Sequence, residues 1–231
     1  MVSYQQKQFQ LFEKIEEKFK KGENPSTIVE SLSDYASDSR ICLTSVVFPP
    51  REIQQAIISK VIKPLKNADN RLYYYLPNSF HLTIQNIKSI ANPPNFTNEE
   101  IEKVKKVLQS VVPRYKSFEF NIKGIFELPT SLSLRAYSDE ILKYLVLELR
   151  EELKNVGVYD NKKYASSEIF FGNISICRFT ETPNNSFFEE EKKLKDVRIG
   201  KLKVAKISLI TTNSVCHPGK TNIIEEFNLH L

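Results

Sequence analysis

The chain has 231 residues, 41% of them hydrophobic, and a formal net charge of +5, enough for one large domain or two small lobes around a core. No run approaches the roughly eighteen apolar residues of a membrane span, and the opening MVSYQQKQFQ is too polar for a secretory signal, so a cytoplasmic address is expected. Three cysteines, Cys42, Cys177 and Cys216, are odd in number and lack metal-ligand spacing, which argues against a disulfide framework or a zinc site and for reduced thiols.

Residues 4 to 21 space Phe9, Phe12, Ile15 and Phe19 at helical intervals, with Gly22 as the stop. Asn24 and Pro25 read as the cap and first turn of a second helix reaching about Tyr35. This helical pair, residues 1–38, is expected to be an appendage. From Arg40 the texture changes: ICLTSVVF is β-rich and stops at Pro49 and Pro50, and a helix is expected from Arg51 to about Leu65. A turn-rich KNADNR follows. Thr97, with Glu99 and Glu100 in the first turn behind it, caps another helix, and Phe118 to Ile125 alternates as a strand.

The second half repeats that order. SLSLRAY, residues 131 to 137, is a strand, and DEILKYLVLELREELKNVG is an amphipathic helix ended by Gly157. A polar, basic loop, YDNKKYASS, leads to the strand IFFGNISICRF. A helix near Ser186 to Lys195, a strand near Leu202 to Ile210, a loop around His217 and a last strand from about Asn222 to Leu229 complete the chain. Between Lys192 and Lys206 seven basic residues face only Asp196, a stripe that suits either a polyanion or plain solvent.

Two stretches carry chemistry. In YYYLPNSFHLTIQNI, residues 73 to 87, the period of two sends Phe80, Leu82 and Ile84 to one face and His81, Thr83 and Gln85 to the other. Pro77 and Asn78 turn the chain into this strand, so His81 lies near its start with Thr83 roughly 7 Å away. An imidazole beside a hydroxyl suits a phosphate, since one moves protons near neutral pH and the other bonds a phosphoryl oxygen. A lone histidine on a half-buried strand is also a common structural residue. In the second stretch Asn173, Ser175 and Cys177 share one face, Ile174 and Ile176 the other. From Ile41 to His81 is 40 residues and from Leu132 to Asn173 is 41, with a helix inside each interval. That spacing reads as a duplicated unit of strand, helix, motif strand, helix and strand, whose two motif faces would meet across one cleft.

These residues resemble the two-histidine (2H) phosphoesterase superfamily, which includes 2'-5' RNA ligase and RNA 2',3'-cyclic phosphodiesterase proteins. HLTI at His81 to Ile84 matches its first motif, and NISICR at Asn173 to Arg178 matches its second, with Asn173 where the family has histidine. The resemblance covers about residues 40 to 231. It implies an α+β fold of two pseudo-symmetric lobes, each an antiparallel sheet with helices on its outer face, around a central cleft. The lobes are expected at about 39–126 and 127–231, with strands exchanging between them.

In the family two histidines divide the opening of a cyclic phosphodiester, one taking a proton from water and one giving a proton to the leaving ribose oxygen. Carried over, His81 is one proton carrier, Thr83 and Ser175 hold the phosphate, and Asn173 stands where the second carrier should be. Its amide hydrogen-bonds but does not titrate near neutral pH. Arg178, Tyr75, Arg135 and Tyr137 are the candidates for binding the rest of a substrate: the arginines for phosphate, the tyrosines for stacking on a base. Tyr73 is a further stacking candidate. The implied partner is RNA or a nucleotide with a cyclic phosphate or a 2'-5' linkage, handled by a monomer without cofactor or metal. Three readings stay open at this point: a weakened phosphoesterase in which another group, His217 for example, supplies the missing proton; a binder of nucleotide or RNA ends that does not turn them over; or an interaction scaffold.

Overall fold

The computed structural model describes residues 2–230 and contains nine strands and six α-helices among them. In chain order these are α1 (Tyr4–Lys20), β1 (Ile41–Val47), α2 (Arg51–Ile57), α3 (Lys63–Ala68), β2 (Tyr73–Tyr74), β3 (Leu82–Ala91), α4 (Asn98–Val111), β4 (Phe118–Leu128), β5 (Ser131–Tyr137), α5 (Ile141–Asn155), β6 (Gly172–Arg178), α6 (Asn185–Lys193), β7 (Arg198–Val204), β8 (Lys206–Thr212) and β9 (Asn222–Asn228). The strands form two antiparallel sheets, a four-stranded one in the order β3-β1-β8-β9 and a five-stranded one in the order β2-β6-β5-β4-β7. The α+β class expected from the sequence is what the chain adopts.

The halves trade strands. β4 closes the first half in sequence yet pairs with β5 and β7 of the second, while β8 returns to pair with β1 and carries β9 on its other edge. A lobe boundary at 126/127 therefore falls inside β4. The expected single strand from Leu202 to Ile210 is two: the chain breaks its ladder at Ala205 and passes from one sheet to the other. The expected helix from Arg51 to Leu65 runs to Ala68, with a wider π-turn at Ile58–Ile62 just ahead of Pro64, whose ring nitrogen has no proton to give.

One apolar core runs through both sheets and the flanking helices, with Leu43, Phe80, Leu82, Phe120, Ile122, Leu134, Leu145, Leu149, Ile174 and Leu209 among its fully buried members. Helix α4 starts as its sequence requires: Thr97 and Glu100 bond reciprocally across the first turn, leaving fewer amides without partners. Among the described residues no helix is long and apolar enough to cross a membrane.

The N-terminal region departs most from expectation. Helix α1 forms, capped by Ser3 and Gln6, but it is no appendage. It lays Leu11, Phe12 and Ile15 on Phe126 and Tyr137, with the Phe12 ring centroid 4.2 Å from that of Phe171. Its buried Gln8 donates to the Phe170 carbonyl at 2.6 Å and accepts from the Ser138 amide at 3.1 Å. The second helix expected from Asn24 to Tyr35 does not form. Thr27, Ile28 and Val29 are β-branched, and Ser31, Ser33 and Asp34 compete with helical hydrogen bonds. The backbone is satisfied elsewhere: the Thr27 amide donates to the Lys163 carbonyl at 3.1 Å and the Val29 carbonyl accepts from the Thr130 hydroxyl at 2.8 Å.

Candidate active site

The two motif strands lie against each other. β3 and β6 belong to different sheets, and they touch where Leu82 meets Gly172. A side chain at 172 would stand 2.2 Å from Leu82 Cδ2, so only glycine lets the strands approach this closely. The residues beside that contact are His81 and Thr83 on either side of Leu82 and Asn173 next to Gly172. All three line a single cavity of about 510 Å³, together with Ser175, Arg178 and Tyr75.

His81 sits just before β3, behind the 3-10 turn Pro77–Ser79, and is half-buried. Its Nδ1 is 2.8 Å from the Ser79 carbonyl oxygen. A carbonyl only accepts, so Nδ1 carries a proton, and in the neutral ring Nε2 holds the lone pair. Burial works against a charged imidazole, but the Cys216 sulfur beside it and the Ser79 carbonyl outweigh burial and raise His81 above the ordinary histidine value. Burial in turn pushes the Cys216 thiol up, while His81 and the hydroxyls of Thr221 and Thr212 pull it below its usual value. Thr83, two residues on, is exposed to the cavity.

On β6, Asn173 and Ser175 are half-buried and share Ser133 of β5, whose hydroxyl lies 3.3 Å from the Ser175 hydroxyl and accepts from Asn173 Nδ2 at 3.4 Å. Arg178 ends the strand. It is buried, its Nε donates to the Tyr75 hydroxyl at 3.0 Å, and no carboxylate pairs with it among the described residues. Tyr75 is placed by β2, which pairs with this end of β6 and continues as a bond from the Tyr75 amide to the Ile176 carbonyl at 3.1 Å.

Sequence reasoning missed three cavity residues. Arg150 of α5 stacks its guanidinium 3.9 Å from the centroid of Tyr164 and bonds Gln85 at 2.8 Å. Lys162 and Lys163 come from the YDNKKYASS loop, whose polarity reads in one dimension as a solvated connection. Lys162 is half-buried and forms no ion pair or side-chain hydrogen bond among the described residues; burial, helped by Arg178 and Arg150, lowers it from the usual lysine value against the pull of Asp160 and Cys42. Buried cations are normally paired, so Lys162 and Arg178 together leave the cavity short of an anion.

Two expected substrate contacts are not available. Arg135 is in register with Asn173 and on the same sheet face, but α1 covers it, and its guanidinium pairs with Glu13 at 2.7 Å and Glu16 at 2.9 Å. Tyr137 is sealed beneath the same helix, its ring centroid 5.5 Å from that of Phe12. Neither lines the cavity. His217 is also elsewhere, with its Nδ1 accepting from the Gly219 amide at 3.2 Å in a 3-10 turn, and Tyr73 packs its ring against Tyr35 and Tyr75 outside the cavity. In the basic stripe Lys193, Lys201 and Lys206 pair with Glu190, Glu119 and Glu226, as a solvated face does. Among the described residues no group of three or more His, Cys, Asp or Glu side chains is placed to hold a metal ion.

No protein-family model matches the sequence. The fold has clear structural neighbours. A crystallised phosphoesterase superposes with a TM-score of 0.60 at 14% identity, covering 84% of this chain and 100% of its own. The TT0787 protein of Thermus thermophilus gives 0.60 at 16% identity over 82% and 97%. LigT of E. coli in complex with 3'-AMP gives 0.56 at 14% identity over 84% and 100%. This chain therefore has the fold shared by these three solved structures, with its His81 and Asn173 strands set side by side in the cleft between the two sheets.

Proposed function

We propose that the cleft takes the phosphate of an RNA or nucleotide end carrying a 2',3'-cyclic phosphate or a 2'-5' linkage, and opens that phosphodiester by acid–base catalysis. One observation carries the reading: two buried or half-buried cations without carboxylate partners, Lys162 and Arg178, line the same cavity as the His81 imidazole and the Thr83 and Ser175 hydroxyls. A phosphate supplies the negative charge those cations lack and the acceptor oxygens those hydroxyls can bond. The crystallised complexes of E. coli LigT with 3'-AMP and with phosphate support it through a shared fold.

His81 has the geometry of a general base. With Nδ1 committed to Ser79, Nε2 accepts a proton from water as that water's oxygen bonds to phosphorus. The P–O bond to one ribose oxygen then breaks, and that oxygen needs a proton that Asn173 cannot give. Thr83, Ser175 and Arg178 hold the non-bridging oxygens as charge builds on them. The experiment is turnover of 2',3'-cyclic AMP by the purified chain, with 3'-AMP binding measured alongside. Saturable turnover supports the reading, and failure to bind either nucleotide rejects it.

Asn173 favours a second reading, a binder of nucleotide or RNA ends that does not turn them over. Saturable 3'-AMP binding without hydrolysis would select it.

A further inference from the structure

Resting on that reading, hydrolysis needs a second transferable proton, and position 173 offers none. Among the residues lining the cavity, few can give one. The Cys42 thiol is buried and pushed up to about 12 by that burial. Tyr164 donates its hydroxyl proton to Asp160, and the Tyr75 oxygen accepts from Arg178, which leaves Tyr75 a neutral phenol with its own proton. Arg40, Arg150 and Arg178 do not release protons in proteins. Lys163 spends its ammonium on the Asn24 carbonyl at 2.8 Å, at the exposed edge. Besides that phenol, Lys162 remains.

Its setting is built rather than accidental. The residues on both sides are tied down: Asn161 accepts from the Ser89 amide of β3 at 3.3 Å, and the Lys163 amide donates to the Thr27 hydroxyl at 2.9 Å. Its own amide donates to Asp160 Oδ1 at 2.9 Å. The Asp160 carboxylate, which attracts the ammonium, already accepts from Gln85, Asn86 and Tyr164. The groups whose charge bears on the ammonium are Asp160 from its own loop, Cys42 from β1, Arg178 from β6 and Arg150 from α5. Two cations and an un-ionised thiol against one occupied carboxylate favour release of a proton to a ligand.

We infer that Lys162 is the second proton carrier of this cleft, giving its proton to the ribose oxygen that leaves phosphorus. Water's oxygen forms the new P–O bond and loses a proton to His81 Nε2; the P–O bond to the ribose breaks, and the electron pair left on that oxygen takes a proton from Lys162 Nζ. After the phosphomonoester departs, the imidazolium and the neutral amine return to their starting states by exchange with solvent. A lysine held below its ordinary value is a stronger acid than one in water, which suits this step.

The test compares the wild type with Lys162→Met, Lys162→Arg, and Lys162→Met combined with Asn173→His, in kcat and KM for 2',3'-cyclic AMP from pH 5 to 10 and in Kd for 3'-AMP. Lys162→Met should lower kcat roughly a hundredfold or more and remove the alkaline limb of the profile. Lys162→Arg keeps the charge without a transferable proton, so it should restore 3'-AMP binding and not kcat. Adding Asn173→His to Lys162→Met should recover part of kcat. An arginine variant with near-normal kcat, or a methionine variant within twofold of the wild type, overturns the assignment and leaves Lys162 a phosphate contact. A wild type that binds 3'-AMP without turning over the cyclic nucleotide overturns it too, while the phosphate reading of the cleft stands; a wild type that binds neither overturns that reading as well.

Discussion

Gly172 and Leu82 are the point at which the two motif strands touch, and a Cβ on Gly172 would lie 2.2 Å from Leu82 Cδ2 and 2.8 Å from Phe120 Cε1. Both neighbours are fully buried, so neither can swing aside without disturbing the core. The contact fixes the separation of His81 from Asn173, because each is the chain neighbour of one of its partners.

Gly172→Ala should therefore cost about 1–3 kcal/mol in stability, read as a lower urea midpoint. It should also weaken 3'-AMP binding, as the strands part. A variant as stable as the wild type with the same Kd would show that the strand contact does not set the site.

The α1 helix is bound by charge as well as by rings. Arg135 keeps only 6% of its side chain exposed and is balanced by Glu13 and Glu16. Replacing both acids with alanine strands a buried guanidinium, with an expected loss of up to about 3 kcal/mol, moderated by the exposure of Glu13. Urea unfolding of Glu13→Ala/Glu16→Ala measures this. No loss would mean that the helix is held by Phe12 and its aromatic partners alone.

Asp69 gives the fold an acid limit. It accepts from the Arg71 guanidinium at 2.9 and 2.6 Å and from the Asn184 amide at 3.0 Å, and these partners hold it at about 2. A carboxylate depressed on folding stabilises fully above its unfolded value, near 4, and loses that contribution as pH falls through the folded value. Asp69→Asn should flatten the fall in stability between about pH 4 and pH 2, read from melting temperatures across that range. An unchanged slope would place the acid sensitivity elsewhere.

Much of this was legible in the sequence, and what was hidden has physical causes. Alternation gave the motif strands because one face of each is buried and the other meets the cavity. The cap of α4 follows from local hydrogen bonding, which a few residues specify. Where α1 docks was not legible: an apolar stripe says that a helix packs, not that it covers Arg135 and Tyr137. The break at Ala205 carries no glycine or proline to mark it. Lys162 was hidden for a different reason, since a lysine in a polar loop looks solvated until folding returns that loop over the cleft.

At position 173 the cleft lacks an imidazole. Restoring one with Asn173→His should raise kcat for 2',3'-cyclic AMP about tenfold or more, provided Ser133 and Ser175 still hold the strand face. No gain, with 3'-AMP binding intact, would indicate that position 173 no longer lies opposite a leaving oxygen.

The proposed chemistry stands or falls on His81 acting on a phosphate held in this cavity. The decisive measurement is steady-state hydrolysis of 2',3'-cyclic AMP by His81→Ala, with 3'-AMP affinity determined on the same preparation. We expect kcat to fall to background while 3'-AMP still binds within several-fold of the wild-type affinity. Hydrolysis that survives the substitution unchanged would refute the role of His81.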